Sequence, residues 1–259
     1  MNYEGPAYLV PEILIGTVAV AAVALYGLRR VLNRTGWPEE ERQRAFWGGS
    51  ALLTGWLLAA LVLSWVGFYE GSLAGIPRLP LGLLVPIAAG LLLFPRWPLL
   101  RRIVDAIPQK WLVGIQTYRV EGVIFLILYA SGRLPGAFAL PAGIGDVIVG
   151  VLAMITAISY RDGGRGSTAW LRTWNLLGMA DLAVAVTTGF LTSPSPVQLL
   201  ALDRPNTLIT AFPLVLIPVF LVPLSVLLHL ASLWKVSRVE GGSREPKAVA
   251  SKWEVSPNN

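Results

Sequence analysis

Apolar residues in this chain fall in long runs rather than in strict alternation. Seven runs, each about 20 residues long and poor in charge, cover residues 8–28, 46–68, 78–95, 111–130, 137–159, 170–191 and 208–234. A helix of that length crosses about 30 Å of bilayer hydrocarbon. It also satisfies its own backbone N–H and C=O groups, as lipid requires. The roughly ten-residue alternation of a membrane barrel is absent. The pattern predicts an all-α, polytopic membrane protein. Residues 1–235 form a single seven-helix transmembrane domain, and the polar stretch 236–259 forms a disordered cytoplasmic tail.

Two connections carry their own signals. In "RWPLLRRIVDAIP", Leu100, Ile103, Val104 and Ile107 recur at helical spacing against Arg101, Arg102 and Asp105. This predicts a short amphipathic helix near 97–108, lying on the inner leaflet or extending a span beyond it. Trp37-Pro38-Glu39, followed by acids, reads as a helix start. Aromatic residues gather near run ends (Trp65, Tyr69, Trp111, Tyr129, Tyr160, Trp170), as an interfacial belt would.

Composition agrees with this pattern. Hydrophobic residues make up 54% of the 259 and charged residues 14%, against about 25% charged in soluble domains. The net charge of +6 is explained by placement rather than by nucleic acid, which is not an expected partner. Seventeen of the 21 Lys and Arg residues fall in alternate connections and the tail. Arg78, Arg133 and Arg204 lie on the opposite side, and Arg119 lies inside a run. The positive-inside rule then puts the N-terminus outside and the C-terminus in the cytoplasm. The expected location is a multi-pass protein of a bacterial inner or plasma membrane.

The candidate chemistry lies in the polar residues within the runs, because a charge at mid-membrane costs about 2.5–3.5 kcal/mol on insertion scales. The fourth run holds Gln116, Arg119 and Glu121, the fifth Asp146, the sixth Asn175 and Asp181, and the seventh His229. At 1.5 Å per residue, Arg119, Asp146 and Asp181 all lie about 12–16 Å from a boundary, near the midplane. "GIGDVIVGV" and "GMADLAVAV" set the two aspartates on matching small-residue faces: Gly143, Asp146, Gly150 and Ala153, and Gly178, Asp181, Ala185 and Thr188. Gln116 shares a face with Arg119, and Glu121 shares one with Thr117. The simplest arrangement sets Arg119 between Asp146 and Asp181. One arginine against two aspartates leaves an excess of negative charge.

Further readings remain open at this stage. Pro135, Pro141, Gly143 and Gly145 precede Asp146. Either the fifth helix is interrupted there and restarts with Asp146 as its cap, as at transporter sites, or it is continuous and the glycines serve packing. Pro213, Pro218 and Pro223 predict a bent seventh helix. His229, with Ser225 and Ser232 on its face, is either a proton relay at the cytoplasmic mouth or a satisfied interfacial histidine. Glu12 reads as interfacial.

One histidine and no cysteine rule out an ordinary His/Cys metal site. Nucleotide-binding and hydrolase motifs are missing. No cofactor and no metal are expected, and no catalytic residue is assigned. The two leading readings are a small permease or proton-coupled transporter and a non-catalytic scaffold, assembly factor or sensor. In the first, Arg119, Asp146, Asp181, Gln116, Glu121 and Asn175 bind substrate or protons, and His229 is a relay. In the second, the same charges are structural. Expected partners are the lipid bilayer, a small solute or protons, and a protein docking on the cytoplasmic loops. A membrane enzyme ranks last.

Overall fold

The computed structural model describes residues 5–161 and 164–242. Seven of its helices are long and apolar enough to cross a membrane. α1 (Leu9–Leu32), α2 (Glu39–Trp65) and α3 (Leu79–Arg96) come first. A short α4 (Pro98–Ala106) follows. The fourth long helix is composite: α5 (Gln109–Gly114), a 3-10 segment (Ile115–Gly122) and α6 (Val123–Ala130). α7 (Gly136–Ser159) and α8 (Arg165–Thr192) are continuous. The seventh helix opens with a π-helical turn (Ile217–Leu221) and continues as α9 (Val222–Gly242). The described residues contain no strand.

Large apolar side chains such as Ile15, Leu58, Val62, Leu84, Ile148 and Ile155 stand exposed along the helix flanks. That much bare hydrocarbon is foreign to a soluble surface and consistent with a membrane-spanning bundle. The long helices follow the apolar runs closely, with two informative departures. α2 begins at Glu39, so the helix start in the first connection is fused to the span instead of standing apart. The seventh helix begins at Ile217, not near 208. Residues 208–210 form a single 3-10 turn, and Leu214, Val215 and Leu216 are fully buried. Pro213 and Pro218 lack the N–H groups that regular helix would need there. Irregular backbone of this kind is tolerated at membrane depth where protein covers it.

α9 runs to Gly242, past the expected start of the tail at 236. Residues 243–259 of that expected tail lie outside the described residues. α4 is the amphipathic helix anticipated near 97–108. It turns Val104 inward and leaves Arg101 and Arg102 outside. It is tied to its neighbours at both flanks: Arg102 pairs with Glu41 at 3.0 Å and stacks on Trp37, and Arg238 pairs with Asp105 at 2.7 Å. The Lys235 ammonium donates to the carbonyls of Val104, Asp105 and Ile107. These carbonyls include the last ones of the short helix, which lack intrahelical donors.

The apolar core is split in two. A large cluster joins Ile13, Ile124, Leu128, Phe138, Ala142 and Phe220. A smaller one joins Val113, Val149, Ala153, Leu171, Trp174 and Val236. Along the fourth to seventh long helices, the stretch between the two clusters holds buried Gln116, Arg119, Asn175, Ser225, His229 and Ser232. The fold therefore carries a polar tier between two apolar layers.

Candidate functional site

The tier is built on the 3-10 segment. Three residues per turn eclipse positions i and i+3. Gln116, Arg119 and Gly122 thus form one buried stripe. α7 packs more extensively against this segment than against any other element. The same geometry corrects the expected partner of Glu121. It aligns with Tyr118, not Thr117, on the neighbouring stripe.

Arg119 is 3% exposed. Its Nε donates to Asp146 Oδ1 at 2.8 Å, and its Nη2 donates to Asp181 Oδ2. Its Nη1 donates to the Gly178 carbonyl at 3.4 Å and faces His229 Nε2 at 3.3 Å. One planar guanidinium thereby joins the fourth helix to α7, α8 and α9. Charge-assisted bonds to both carboxylates use its fixed fork. The Asp146 and Asp181 side chains keep 14% and 9% of their surface exposed.

The bonding fixes the histidine tautomer. Asn175 Nδ2 donates to the Leu171 carbonyl at 2.8 Å and to Ser232 Oγ at 2.9 Å. A carbonyl only accepts, so the Asn175 amide orientation is set and its Oδ1 faces His229 Nδ1 at 2.9 Å. Nδ1 must then carry the proton. Nε2 is left as an acceptor for Arg119, and a proton there would oppose the guanidinium. His229 is fully buried and stacks against Trp174 with ring centroids 4.9 Å apart. It is an interior link of the network rather than a residue at the mouth of the bundle.

The network extends along α9 in both directions. Ser225 Oγ donates to Gln116 Oε1 at 2.8 Å, and Gln116 Nε2 donates to the Ser225 carbonyl at 3.2 Å. Tyr118 Oη donates to the carbonyl of Leu221, in the π turn, at 2.8 Å. At the other end, Gln109 Nε2 donates to Ser232 Oγ. Ser225, His229 and Ser232 recur at helical spacing, which foretold their common face. Gln109 and Trp174 were not foreseen. Gln109 sits at the boundary of its run, and a tryptophan near a run end reads as a membrane anchor.

Glycine makes this crowding feasible. A Cβ at Gly122 would collide with Asp146, one at Gly145 with the Asp181 carboxylate, and one at Gly178 with the His229 ring. This also answers the question of the interrupted fifth helix. α7 is continuous through Pro141 and Asp146, and Gly143 and Gly145 serve close approach to Leu126 and Asp181. The irregular backbone lies instead in the fourth and seventh helices.

Glu121 stands apart from this network. It is exposed, sits over Gly16 of α1, and has no hydrogen-bonding or ion-pairing partner among the described residues. With Glu12, Tyr118, Arg119, Asp146 and Ser225 it lines a narrow cleft of about 40 Å³. A second cavity of about 320 Å³, almost wholly apolar, also reaches Asp146. Asp146, Phe125, Leu182, Ile217 and Val222 line both.

A family model described as a domain of unknown function (DUF8737) matches residues 76–237. The matched region contains every residue of the Arg119 network and leaves α1 and α2 outside. No curated protein and no solved structure matches the chain.

Proposed function

The chain belongs to the DUF8737 family, and we propose that it is a small permease or proton-coupled transporter. Asp146 is its ligand- or proton-accepting group, and the Arg119 network is the lock that holds the helices around it. The observation that carries this reading is the position of Asp146. It is ion-paired to Arg119 and lines both the cleft that carries Glu12 and Glu121 and the larger apolar cavity; the 3-10 segment packs on its helix, and Ile217 of the π turn lines both spaces with it. Helical irregularities of these kinds recur at functional sites and hinges. In this reading the N-terminus faces outward and the basic connections face the cytoplasm. A cationic solute or a proton reaching Asp146 competes with Arg119 for the carboxylate, which loosens the tie between the fourth helix and α7. Glu121 and Glu12 give the cleft the sign of charge that would draw it in. Gln116, Asn175, Asp181 and His229 hold the lock rather than touch the solute.

The test is a thermal-shift panel of small cations and metabolites on the purified protein, repeated with Asp146→Asn. Hits then go to uptake in proteoliposomes under an imposed pH gradient. A solute that stabilises the native chain but not the variant, and that accumulates inside, is the expected result. Uptake indifferent to Asp146→Asn and to Asp181→Asn overturns the proposal.

A second reading, a membrane scaffold whose charges are structural, is favoured by the buried and multiply bonded state of Arg119. Its signature is a stable protein partner recovered from native membranes on the basic connections. Recovery of the chain alone counts against it.

A further inference from the structure

The 320 Å³ cavity is walled by Leu83 and Leu84 of α3, by Ala185, Val186 and Phe190 of α8, and by Pro218 of the π turn. α3 packs on α9 and the π turn, and α8 packs on α7 and α9, but α3 and α8 make no substantial contact with each other. The cavity therefore opens sideways between them, where a bilayer would present hydrocarbon. Apolar walls of this kind do not hold water well.

A small niche of about 10 Å³ adjoins the cavity, sharing Leu79 and Phe190 with it as lining. Two groups that line it lack counterparts among the described residues. Ser195 is 5% exposed, and its Oγ has no hydrogen-bond partner there. A buried hydroxyl left unpaired is costly, and the niche is the size of one water. The exposed Arg78 guanidinium lies over the Phe68 ring, 5.2 Å from its centroid, and no carboxylate pairs with it among the described residues. The neighbouring hydroxyls are already engaged: Ser193 donates to the Gly189 carbonyl, and Thr210 donates to that of Thr207.

We infer that the cavity and the exposed Arg78 at the mouth of the niche form one lateral site for an anionic phospholipid, with its phosphate at Arg78 and one hydrocarbon chain between α3 and α8. The polarity runs the right way for this occupant. The cation lies at the loop end of the bundle, and the apolar space extends from it toward mid-height. An arginine fork is the donor that suits phosphate oxygens. A zwitterionic lipid would bring an ammonium that finds no carboxylate among the residues lining the niche. The cavity, with Asp146 in its wall, is shared with the transport reading, but lipid contact there does not require transport.

The experiment uses the full-length protein in vesicles doped with a trace of photoactivatable phosphatidylglycerol or phosphatidylcholine, each carrying a diazirine in its acyl chain. Labelled peptides are then mapped. The anionic probe is expected to label α3 around Leu83 and the Ala185–Phe190 stretch of α8 several-fold above the zwitterionic one. Arg78→Gln should remove that preference without lowering phosphatidylcholine labelling. Ala185→Trp, which fills the cavity, should remove labelling at both stretches, with its fold checked by an unchanged helical circular-dichroism spectrum. Equal labelling by the two probes, labelling spread evenly over all lipid-facing helices, or a preference that survives Arg78→Gln overturns the assignment.

Discussion

Arg119 and Glu121 are two residues apart on one 3-10 segment, and their surroundings are opposite. Arg119 is buried and bound to three other helices. Glu121 is exposed, over Gly16 and beside Glu12, with no partner among the described residues. The eclipsed geometry produces the difference by turning one stripe to the interior and the next to the cleft. Charge inside a membrane protein can thus be spent on assembly or kept available, and here the two uses fall within a single 3-10 turn.

The strongest way to test the assembly side is to remove the guanidinium. Arg119→Ala leaves Asp146 and Asp181 without their cation and removes a second donor from the Gly178 carbonyl. Breaking a buried pair from one side costs about 3–5 kcal/mol. We expect a large fall in melting temperature in detergent and poor recovery of folded protein. Arg119→Lys should lie between, because an ammonium lacks the planar fork that spans both carboxylates. A melting temperature unchanged by Arg119→Ala would show that the network does not hold the bundle.

Next in size are changes to the carboxylates and to the space around them. Asp181→Asn and Asp146→Asn each weaken one charge-assisted bond, worth about 1.5–3 kcal/mol. The two should differ in function. Asp181→Asn should act mainly on stability, whereas Asp146→Asn should also abolish any solute-dependent thermal shift. Equal loss of that shift in both would erase the distinction between lock and acceptor. Gly145→Ala drives a Cβ into the Asp181 carboxylate, and overpacking of this kind costs about 1–3 kcal/mol. Ser232→Ala takes the shared acceptor from Asn175 and Gln109, for about 1 kcal/mol. Both are read as shifts in melting temperature, with Gly145→Ala the larger. The reverse order would mean that α7 and α8 yield readily at their closest approach.

Much of this was legible beforehand. Hydrophobic runs mark the long helices because lipid forces helical backbone on any span. A period of 3.6 set Asp146 and Asp181 on their small-residue faces, and the rarity of intramembrane charge paired them with Arg119. The backbone irregularities were less legible. The prolines and glycines before Asp146 fit a broken helix and a continuous one alike, and α7 runs through Pro141, while Ile115–Gly122 leaves α geometry without any proline. That departure depends on partners distant in sequence, such as Ser225 for Gln116 and Gly178 for Arg119, which local pattern does not reveal. His229, near the inner end of its apolar run, sits deeper in the bundle than either reading of it has it, for the same reason. Its depth follows from where α9 begins, and the buried segment 208–216 shifts that start toward the C-terminus.

The smallest expected effect tests the other half of the comparison. Glu121→Gln removes a charge that bonds to nothing among the described residues, so its stability cost should stay within about 0.5 kcal/mol. Its size and its stripe on the 3-10 segment are kept, and Asp146 and Arg119 remain paired. Any functional consequence must then come from the lost charge in the cleft. If Glu121 draws a cation toward Asp146, the variant should bind the same solute more weakly, and the deficit should shrink as ionic strength rises, because salt screens an exposed charge. Titrating the thermal shift against solute at low and high salt reads both quantities. A variant that is stable, binds as the native chain does and shows the same salt dependence would remove Glu121 from the site and leave Asp146 as the cleft's acceptor.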